Sequence, residues 1–218
     1  MLNDRGNGLS RLHFITYDDA SISHMQMAEQ ACRGGVELVQ LRTKGKDFPA
    51  WVAEGQLVKA VCDRYGARLI VNDSAAVAKA VGAFGVHLGK LDMPIQKARE
   101  ILGDGFVIGG TANTTEDLLG LIKEGVDYIG VGPFRFTTTK EQLSPVLGLD
   151  GIEKLLAAAA SVQSRIPMIA VGGIEQEDIA ALLRTGIHGI AVSGAIGRAT
   201  AIENSAQRFV QSLQGNML

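Results

Sequence analysis

Polar side chains alternate with apolar ones over residues 38–44, which have the sequence LVQLRTK. Gln40, Arg42 and Lys44 are spaced by two, so in an extended strand their side chains leave the same face, and the apolar residues between them leave the other. Solubility alone does not explain polar groups inside an apolar run. The pattern predicts either a surface that binds an anionic ligand or a salt bridge at the rim of the fold.

Carboxylates follow the next two apolar runs of the chain. Asp73 ends one of these runs, and Asp92 comes shortly after the other. Two carboxylates with open water positions suit Mg²⁺, which prefers oxygen ligands and substrate phosphates. Each also has an ordinary alternative role, because Asp73 could cap a helix that starts near Ser74 and Asp92 could cap one at Pro94.

Cations accompany these carboxylates in the sequence. Arg42, Lys44 and Lys140 would face the same space if the strands before them ended at one edge of a sheet. Cations beside paired carboxylates are what a metal-bound diphosphate requires. The combination therefore favours a ligand site over two separate helix caps.

Small and hydroxyl-bearing residues end several other apolar runs. Gly173 and Ser193 follow the last two runs, where small residues let backbone N–H groups approach a phosphate, although glycines there also serve simple turns. Thr111 ends an earlier run and could contact a ligand or cap a helix. Residues 132–140, GPFRFTTTK, lead from an apolar strand to hydroxyls and a lysine, and we expect them to lie over both anionic sites.

The apolar runs themselves predict the fold. Eight short runs alternate with segments of helical spacing, which indicates a single (β/α)8 barrel, an α/β fold with its chemistry at the C-terminal ends of the strands. An open doubly wound sheet is the competing architecture, but the chain has no GxGxxG and no Walker A sequence. We predict one domain over residues 1–218, with the barrel at about 11–215 and a short polar extension at 1–10. The eight runs are HFIT (13–16), LVQLR (38–42), LIVND (69–73), GVHLG (85–89), VIGGT (107–111), YIGVG (128–132), MIAVGG (168–173) and GIAVSG (189–194).

Helix boundaries are marked by local signals. Thr114 stands three residues before Asp117, as in a capping box. Pro94 suits the first turn of a helix that ends near Gly103, and Gly125 is typical of a helix C-terminus.

Composition argues against several classes of protein. The net charge of -2 and the lack of a basic stripe argue against nucleic-acid binding. The sequence contains no run of about 18 apolar residues, so it predicts no membrane span. The N-terminal residues lack the apolar segment of a secretory signal. Cys32 and Cys62 form no CxxC and are expected to be reduced, buried thiols of a cytoplasmic protein, and the scattered histidines predict no structural zinc. The oligomeric state, including a homo-oligomer, stays open.

An ordered set of segments resembles the thiamine phosphate synthase family. The resemblance runs from about Arg11 to the last helix, and its specificity lies in the order and spacing of the segments, since no single one is decisive. The segments are QLRTK (40–44), VND (71–73), GVHLGKLDMP (85–94), DYIGVGPFRFTTTK (127–140), IPMIAVGGI (166–174) and GIAVSGAI (189–196).

The resemblance implies a transferase of thiamine biosynthesis. That family joins a hydroxymethylpyrimidine diphosphate to a thiazole phosphate, and the products are thiamine phosphate and pyrophosphate. It implies a dissociative reaction, in which Mg²⁺ and cations stabilise the leaving diphosphate while a pyrimidine carbocation forms, and the thiazole nitrogen then attacks this cation. The protein would supply positioning and electrostatics more than covalent chemistry.

The resemblance also implies roles for individual residues. Asp73 and Asp92 would bind Mg²⁺, and Arg42, Lys44 and Lys140 would be catalytic cations on the diphosphate. The substrate-binding set would also include Gln40 and Asn72 at the pyrimidine diphosphate, Thr111 near the pyrophosphate, Thr137, Thr139, Gly173 and Ser193 at the thiazole phosphate, and Val192.

Some positions depart from the family pattern or receive no role. Lys90 stands where the family often has glutamine, and adds a cation near Asp92, whereas Asn113 stands where a histidine is common. Arg135 and Thr138 are assigned no function and are expected to face water.

Two other functions remain as alternatives. One is a thiazole tautomerase of the same fold, which binds the thiazole phosphate but need not handle a diphosphate. The other is a non-catalytic barrel that senses phosphorylated thiamine precursors. The retained cations and carboxylates favour the synthase over both.

Overall fold

A computed structural model describes residues 8–136 and 145–215 of the chain. Within these ranges, eight β-strands alternate with α-helices, and one short extra helix follows the last strand. The strands are β1 (Leu12–Ile15), β2 (Leu38–Leu41), β3 (Arg68–Asn72), β4 (Gly85–Leu88), β5 (Val107–Ala112), β6 (Tyr128–Val131), β7 (Met168–Val171) and β8 (Gly189–Val192). The helices are α1 (His24–Arg33), α2 (Phe48–Tyr65), α3 (Ala75–Val81), α4 (Ile95–Leu102), α5 (Thr115–Glu124), α6 (Gly148–Ser161), α7 (Ile179–Arg184), α8 (Gly194–Gly197) and α9 (Ile202–Gly215).

All eight strands are parallel and form one closed barrel. Each strand pairs with the next one in the chain, and β8 returns to pair with β1, where His13 lies opposite Ala191. Each predicted apolar run overlaps one of the strands, although β1 and β3 begin one residue before their runs and β5 ends one residue after its run. The predicted (β/α)8 barrel is therefore confirmed, and the open doubly wound alternative is wrong because the sheet closes on itself.

Two clusters of buried side chains hold the barrel and its helices together. The larger cluster includes Val39 and Leu41 of β2 together with apolar residues of the surrounding helices. The smaller cluster includes Leu38, Ile70 and Tyr128 and fills the barrel itself. Because side chains alternate along a strand, Gln40 shares the interior face of β2 with Leu38.

The segment before β1 closes the N-terminal end of the barrel. Leu9 packs into the interior cluster. The Arg68 guanidinium donates to the Gly8 carbonyl at 2.9 Å and lies 4.6 Å from the centre of the Phe84 ring. A single domain over the whole chain stays a prediction, since residues 1–7, 137–144 and 216–218 lie outside the described ranges.

Helix ends follow the local sequence signals. The Thr114 hydroxyl accepts the Asp117 N–H at 3.1 Å, and the Asp117 carboxylate accepts the Thr114 N–H at 2.9 Å, which confirms the capping box. Gly125 ends α5 with φ of 74°, in the left-handed region that favours glycine. Helix α4 ends at Gly103 as predicted, but Pro94 precedes its first turn instead of lying in it.

Cys32 and Cys62 lie on α1 and α2. Both thiols are buried and neither is bridged, as the sequence predicts. Both belong to the apolar cluster between the barrel and the helices. Among the described helices, none has the length and apolar character that a membrane span needs.

A methyl group at Gly109 should break the packing of the barrel interior. A Cβ at this position would lie 2.1 Å from Cζ of Tyr128, its partner across β5 and β6. Overpacking of this kind costs about 1–3 kcal/mol or more, so Gly109→Ala should lower the denaturation midpoint in urea or abolish folding. Gly120→Ala on exposed α5 is the control, because its Cβ would have no described atom within 4 Å. This control should gain up to about 1 kcal/mol, and equal stability of the two variants would contradict the packing assignment.

Candidate active site

A cavity of about 1040 Å³ opens at the C-terminal ends of the strands. Its lining contains groups from the ends of β2 to β8, as the barrel geometry requires. Lys44 is not among the described residues of the lining. Thr137, Thr138, Thr139 and Lys140 lie outside the described ranges. The predicted site residues that do line the cavity are Gln40, Arg42, Asn72, Asp73, Asp92, Thr111, Gly173, Val192 and Ser193.

The two predicted metal-binding carboxylates lie at neighbouring strand ends. Asp73 follows β3 directly with φ of 66°, and its N–H donates to the His87 carbonyl on β4 at 2.8 Å. Asp92 is held by the loop after β4, where its Oδ2 accepts the Gly89 N–H at 2.6 Å. The Asp92 carboxyl is close enough to raise the pKa of Asp73. The structure therefore brings the pair together, as the barrel topology predicts.

Neither carboxylate caps the helix that follows it. Ser74 is the N-cap of α3, and its hydroxyl accepts a backbone N–H from the first turn. Helix α4 begins after Pro94 without a side-chain cap. The capping alternatives for Asp73 and Asp92 are therefore wrong.

The electrostatics of the pair suit a divalent cation. Burial in the cavity wall raises the pKa of Asp73, the Asp92 carboxyl raises it further, Arg42 lowers it, and the result is a pKa of about 6. Two carboxyl groups that share a proton can accept a cation in its place. Within the described ranges, no cluster of three or more His, Cys, Asp or Glu side chains could hold a metal. An ion at Asp73 and Asp92 would need further oxygen ligands from water or a substrate, and Mg²⁺ is usually coordinated in this way.

The polar face of residues 38–44 is only partly directed into the cavity. Gln40 is buried, and its amide acts against the effect of burial on the Tyr128 hydroxyl by lowering the pKa of Tyr128. Arg42 lines the cavity, and its charge lowers the pKa of Asp73. This position favours a binding surface over a rim salt bridge. Strand β2 ends at Leu41, so its alternation no longer directs Lys44, which is exposed.

Polar side chains inside the barrel support the floor of the cavity. One ring nitrogen of His87 lies 2.9 Å from the Tyr128 hydroxyl, and the other lies 2.9 Å from the Thr111 hydroxyl. Thr111 thus contacts His87 and lines the cavity, whereas Thr114 is the cap of α5, so the capping alternative for Thr111 is wrong. Burial raises the pKa of Tyr128, which keeps its hydroxyl protonated.

A second polar subsite lies at the ends of β7 and β8. The Ser193 hydroxyl is buried, lines the cavity and has no hydrogen-bond partner among the described residues. Gly173 has φ of 66°, and a Cβ there would come within 3.0 Å of the Phe136 carbonyl oxygen. A buried hydroxyl without a partner costs about 1–3 kcal/mol, so Ser193 marks a place where a ligand oxygen would complete the structure.

Arg135 has a clear structural role, and the expectation that it only faces water is wrong. Its guanidinium pairs with both carboxylate oxygens of Asp178 at 2.8 and 2.9 Å and donates to the Gly173 carbonyl at 2.7 Å. Its backbone N–H donates to the Gly172 carbonyl at 2.9 Å. Arg135 therefore joins the chain after β6 to the glycine turn after β7.

The two departures from the family pattern also have partners. The Lys90 ammonium lies 2.5 Å from an Asp117 carboxylate oxygen, so its charge is directed toward α5 although the residue lines the cavity. Burial opposes ionisation of Asp117, but hydrogen bonds from Lys90 and nearby donors lower its pKa. The Asn113 amide donates to the Gly132 carbonyl, which ties the end of β5 to the turn after β6.

Sequence reasoning missed two groups of the cavity wall. His87 has an inward position within the apolar run of β4, and this alternation is a signal that could have identified it. Arg198 lines the cavity with its guanidinium 5.6 Å from the Tyr17 ring centre. No local pattern marks Arg198, because its place depends on the turn that α8 introduces.

Fold and cavity together define a class of protein. A closed (β/α)8 barrel that combines a carboxylate pair, an arginine and a glycine-and-serine subsite in one mouth is a barrel for phosphorylated ligands. A family model described as thiamine monophosphate synthase matches residues 12–196. The chain belongs to this family.

Individual relatives agree with the family assignment. A thiamine-phosphate synthase from Bacteroides fragilis is 48% identical over 185 residues, which cover 85% of this chain and 91% of that protein. A thiamine-phosphate synthase from Flavobacterium johnsoniae is 40% identical over 209 residues, which cover 96% and 99%. The solved structure of a thiamine phosphate pyrophosphorylase from Pyrococcus furiosus superposes with a TM-score of 0.84 at 28% identity and covers all of both chains.

The carboxyl pair should make stability depend on pH. The folded-state pKa of Asp73, about 6, lies above its usual value of 3.8. Between these two values the folded protein binds a proton at Asp73 that the unfolded chain does not bind. Protonation of Asp73 therefore contributes to the free energy of unfolding below pH 3.8, and this contribution is lost as the pH rises through about 6. Asp73→Asn, which also tolerates a left-handed φ, should remove this loss.

Urea denaturation of metal-free protein between about pH 4 and 7 measures the effect. The difference in unfolding free energy between wild type and Asp73→Asn should shift in favour of the variant as the pH rises. Asp63→Asn, on exposed α2, is the control for loss of one carboxylate. A difference that stays constant with pH would contradict the raised pKa.

Proposed function

We propose that this chain joins a hydroxymethylpyrimidine diphosphate to a thiazole phosphate, forming thiamine phosphate and pyrophosphate. One observation carries the proposal: a carboxylate pair with a nearby arginine, and a buried hydroxyl that has no partner within residues 8–136 and 145–215, face the same cavity. A single mouth with two anion subsites suits a reaction between two phosphorylated substrates. The family assignment and the names of the relatives support the same activity.

The diphosphate substrate is assigned to the subsite at the ends of β2, β3 and β4. Asp73 and Asp92 would hold Mg²⁺, which when bound would offset the negative charge of the leaving diphosphate. Arg42 supplies a positive charge near them, since its charge lowers the pKa of Asp73. Asn72 lies next to Asp73 and lines the same wall.

The reaction requires stabilisation of charge more than a covalent partner. The bond between the pyrimidine methylene carbon and the diphosphate oxygen breaks, and the oxygen keeps the electron pair. The thiazole nitrogen then donates its lone pair to the methylene carbon, which forms the new C–N bond. Arg42, Lys44 and Lys140 are proposed to stabilise the leaving pyrophosphate, and Gln40 to orient the pyrimidine.

The thiazole phosphate is assigned to the subsite at β7 and β8. The Ser193 hydroxyl can donate to a phosphate oxygen, and Gly173 lines the same cavity at the end of β7, where small residues suit the approach of a phosphate to the backbone. Thr137 and Thr139 are proposed to contact the same phosphate. Val192 lies directly before Ser193 and contributes apolar wall. Thr111 is placed between the subsites, near the pyrophosphate.

Incubation of the chain with both precursors and Mg²⁺ tests the proposed function. We expect thiamine phosphate and pyrophosphate in equal amounts, loss of both with excess EDTA, and recovery with added Mg²⁺. A tautomerase would bind the thiazole phosphate and release no pyrophosphate, and a sensor would bind precursors and convert neither. Binding of both substrates without product would refute the synthase.

The cytoplasmic location stays a prediction.

Loss of a metal-binding carboxylate should affect turnover far more than folding. Asp73→Asn and Asp92→Asn should each lower kcat about 10²–10³-fold, as removal of a charge-stabilising contact does elsewhere. Both variants should keep the wild-type circular dichroism spectrum. Wild-type turnover of either variant at ordinary Mg²⁺ concentrations would contradict the metal assignment.

Lys140 is assigned to the diphosphate from the family resemblance. Lys140→Ala should lower kcat by a comparable factor, about 10²–10³-fold, with little change in melting temperature. Lys123→Ala, on the outer helix α5, is the matched control and should keep wild-type kinetics. A lower melting temperature with unchanged turnover per folded molecule would show that Lys140 is structural.

A further inference from the structure

A cluster of side chains from the segment after β1 and from the start of α1 contacts the chain that follows β2. Asp18, three residues after β1, accepts the Thr43 hydroxyl at 2.9 Å and the Lys44 N–H at 2.9 Å, each with a different carboxylate oxygen. His24 lies behind it, with Nε2 at 3.2 Å from Asp18 and Nδ1 at 2.8 Å from the Thr16 hydroxyl. The Thr16 hydroxyl oxygen also accepts the Arg42 N–H at 3.4 Å.

The chemistry of the donors determines the direction of each hydrogen bond. The Asp18 carboxylate can only accept, so Nε2 of His24 carries the proton that faces it. Burial lowers the pKa of His24, which leaves Nδ1 free to accept from the Thr16 hydroxyl. The Thr16 hydroxyl has one proton, for which Nδ1 of His24 at 2.8 Å competes with the more distant Gln40 carbonyl at 3.3 Å. The hydroxyl oxygen still accepts the Arg42 N–H, and His24 donates to Asp18.

The result is a clamp on the backbone at both sides of Thr43. The Arg42 N–H is held by Thr16, and the Lys44 N–H is held by Asp18. Beyond the clamp, a Cβ built on Gly45 would have no described atom within 4 Å, and the chain is next anchored to α2 by the Lys46–Glu54 ion pair and by Asp47, the N-cap. Residues 42–44 are therefore held by the contacts from Thr16 and Asp18.

We propose that Asp18, supported by His24 and Thr16, positions the loop that carries Arg42 and Lys44 and so organises the diphosphate subsite. The inference rests on the proposed function for its catalytic meaning, although the loop contacts stand without it. Asp18 does not touch the substrate subsite, since it is not among the described residues that line the cavity. It acts through the two cationic residues and is a positioning residue.

Asp18 is not needed for the core. Its side chain is 46% exposed, and an exposed carboxylate contributes little to global stability. Burial opposes ionisation of Asp18, but hydrogen bonds from His24, Thr43 and Lys44 lower its pKa. Donors from the loop and from α1 thus stabilise the charged carboxylate of Asp18, as expected of a group that orders a loop.

Asp18→Asn is the direct test. The amide retains one acceptor oxygen and replaces the other with an N–H donor, so at least one of the three donors loses its partner. Asp127→Asn is a control at the opposite end of the barrel, where the buried Asp127 also accepts a backbone N–H, from Ile108 at 2.8 Å, and pairs with Arg99 at 2.5 Å. Thr43→Val is a milder second variant, which removes only the hydroxyl donor.

Hydrogen exchange without substrates reports on the loop directly. Exchange of the amides of residues 42–44 should accelerate about 10-fold in Asp18→Asn, the effect of losing a hydrogen bond to a charged group, and less in Thr43→Val. Asp127→Asn should leave these amides at the wild-type rate. Unchanged exchange in Asp18→Asn, or equal acceleration in Asp127→Asn, would overturn the positioning role.

Binding and kinetics report on the subsite. The Kd of inorganic pyrophosphate with Mg²⁺, and the KM of the pyrimidine diphosphate, should rise about 10-fold in Asp18→Asn while the KM of the thiazole phosphate stays within about 2-fold. An equal rise in both KM values, or an unchanged pyrophosphate Kd, would overturn the inference. Absence of turnover in wild type would refute the proposed function alone, because hydrogen exchange and pyrophosphate binding would still decide the role of Asp18.

Discussion

Closure of an all-parallel sheet forces the carboxyl end of every strand into one ring. In this protein that constraint places Arg42, Asp73 and Ser193, which are far apart in sequence, around a common cavity. The barrel interior must be filled for the ring to keep its shape. Tyr128 fills it where Gly109 lacks a side chain, and its hydroxyl supports Gln40 and His87 below the cavity. The geometry of the site thus depends on the packing beneath it.

The sequence was sufficient to predict groups that lie on strands or directly at their ends. Gln40 and Arg42 could be assigned from a spacing of two, because strand geometry determines which face their side chains leave. Asp73 could be assigned from its place at the end of a run, because barrel topology brings the strand ends to one cavity. The same logic did not extend to Lys44, since β2 ends at Leu41 and a loop follows its own course. It also left Thr137, Thr139 and Lys140 as expectations from the resemblance, because they lie in the range that the structure does not describe.

Groups whose role depends on a distant partner could not be predicted. Arg135 was expected to face water, yet it pairs with Asp178, more than 40 residues away in the chain. Asp18 and His24 follow the first strand, where no cation or glycine pattern marks a site, and their importance comes from contacts with a different loop. Only the closed fold brings such partners together, and no local periodicity records them.

The left-handed backbone at Asp73 limits which residues can replace this carboxylate. Most side chains are strained at φ of 66°, whereas Asp, Asn and Gly accept it. A longer acidic residue, which could otherwise supply the same charge, is disfavoured there by the main chain itself. A variant of this chain that loses the carboxylate at residue 73 therefore keeps the main-chain conformation most readily with asparagine or glycine, so the backbone restricts the choice of residue independently of charge.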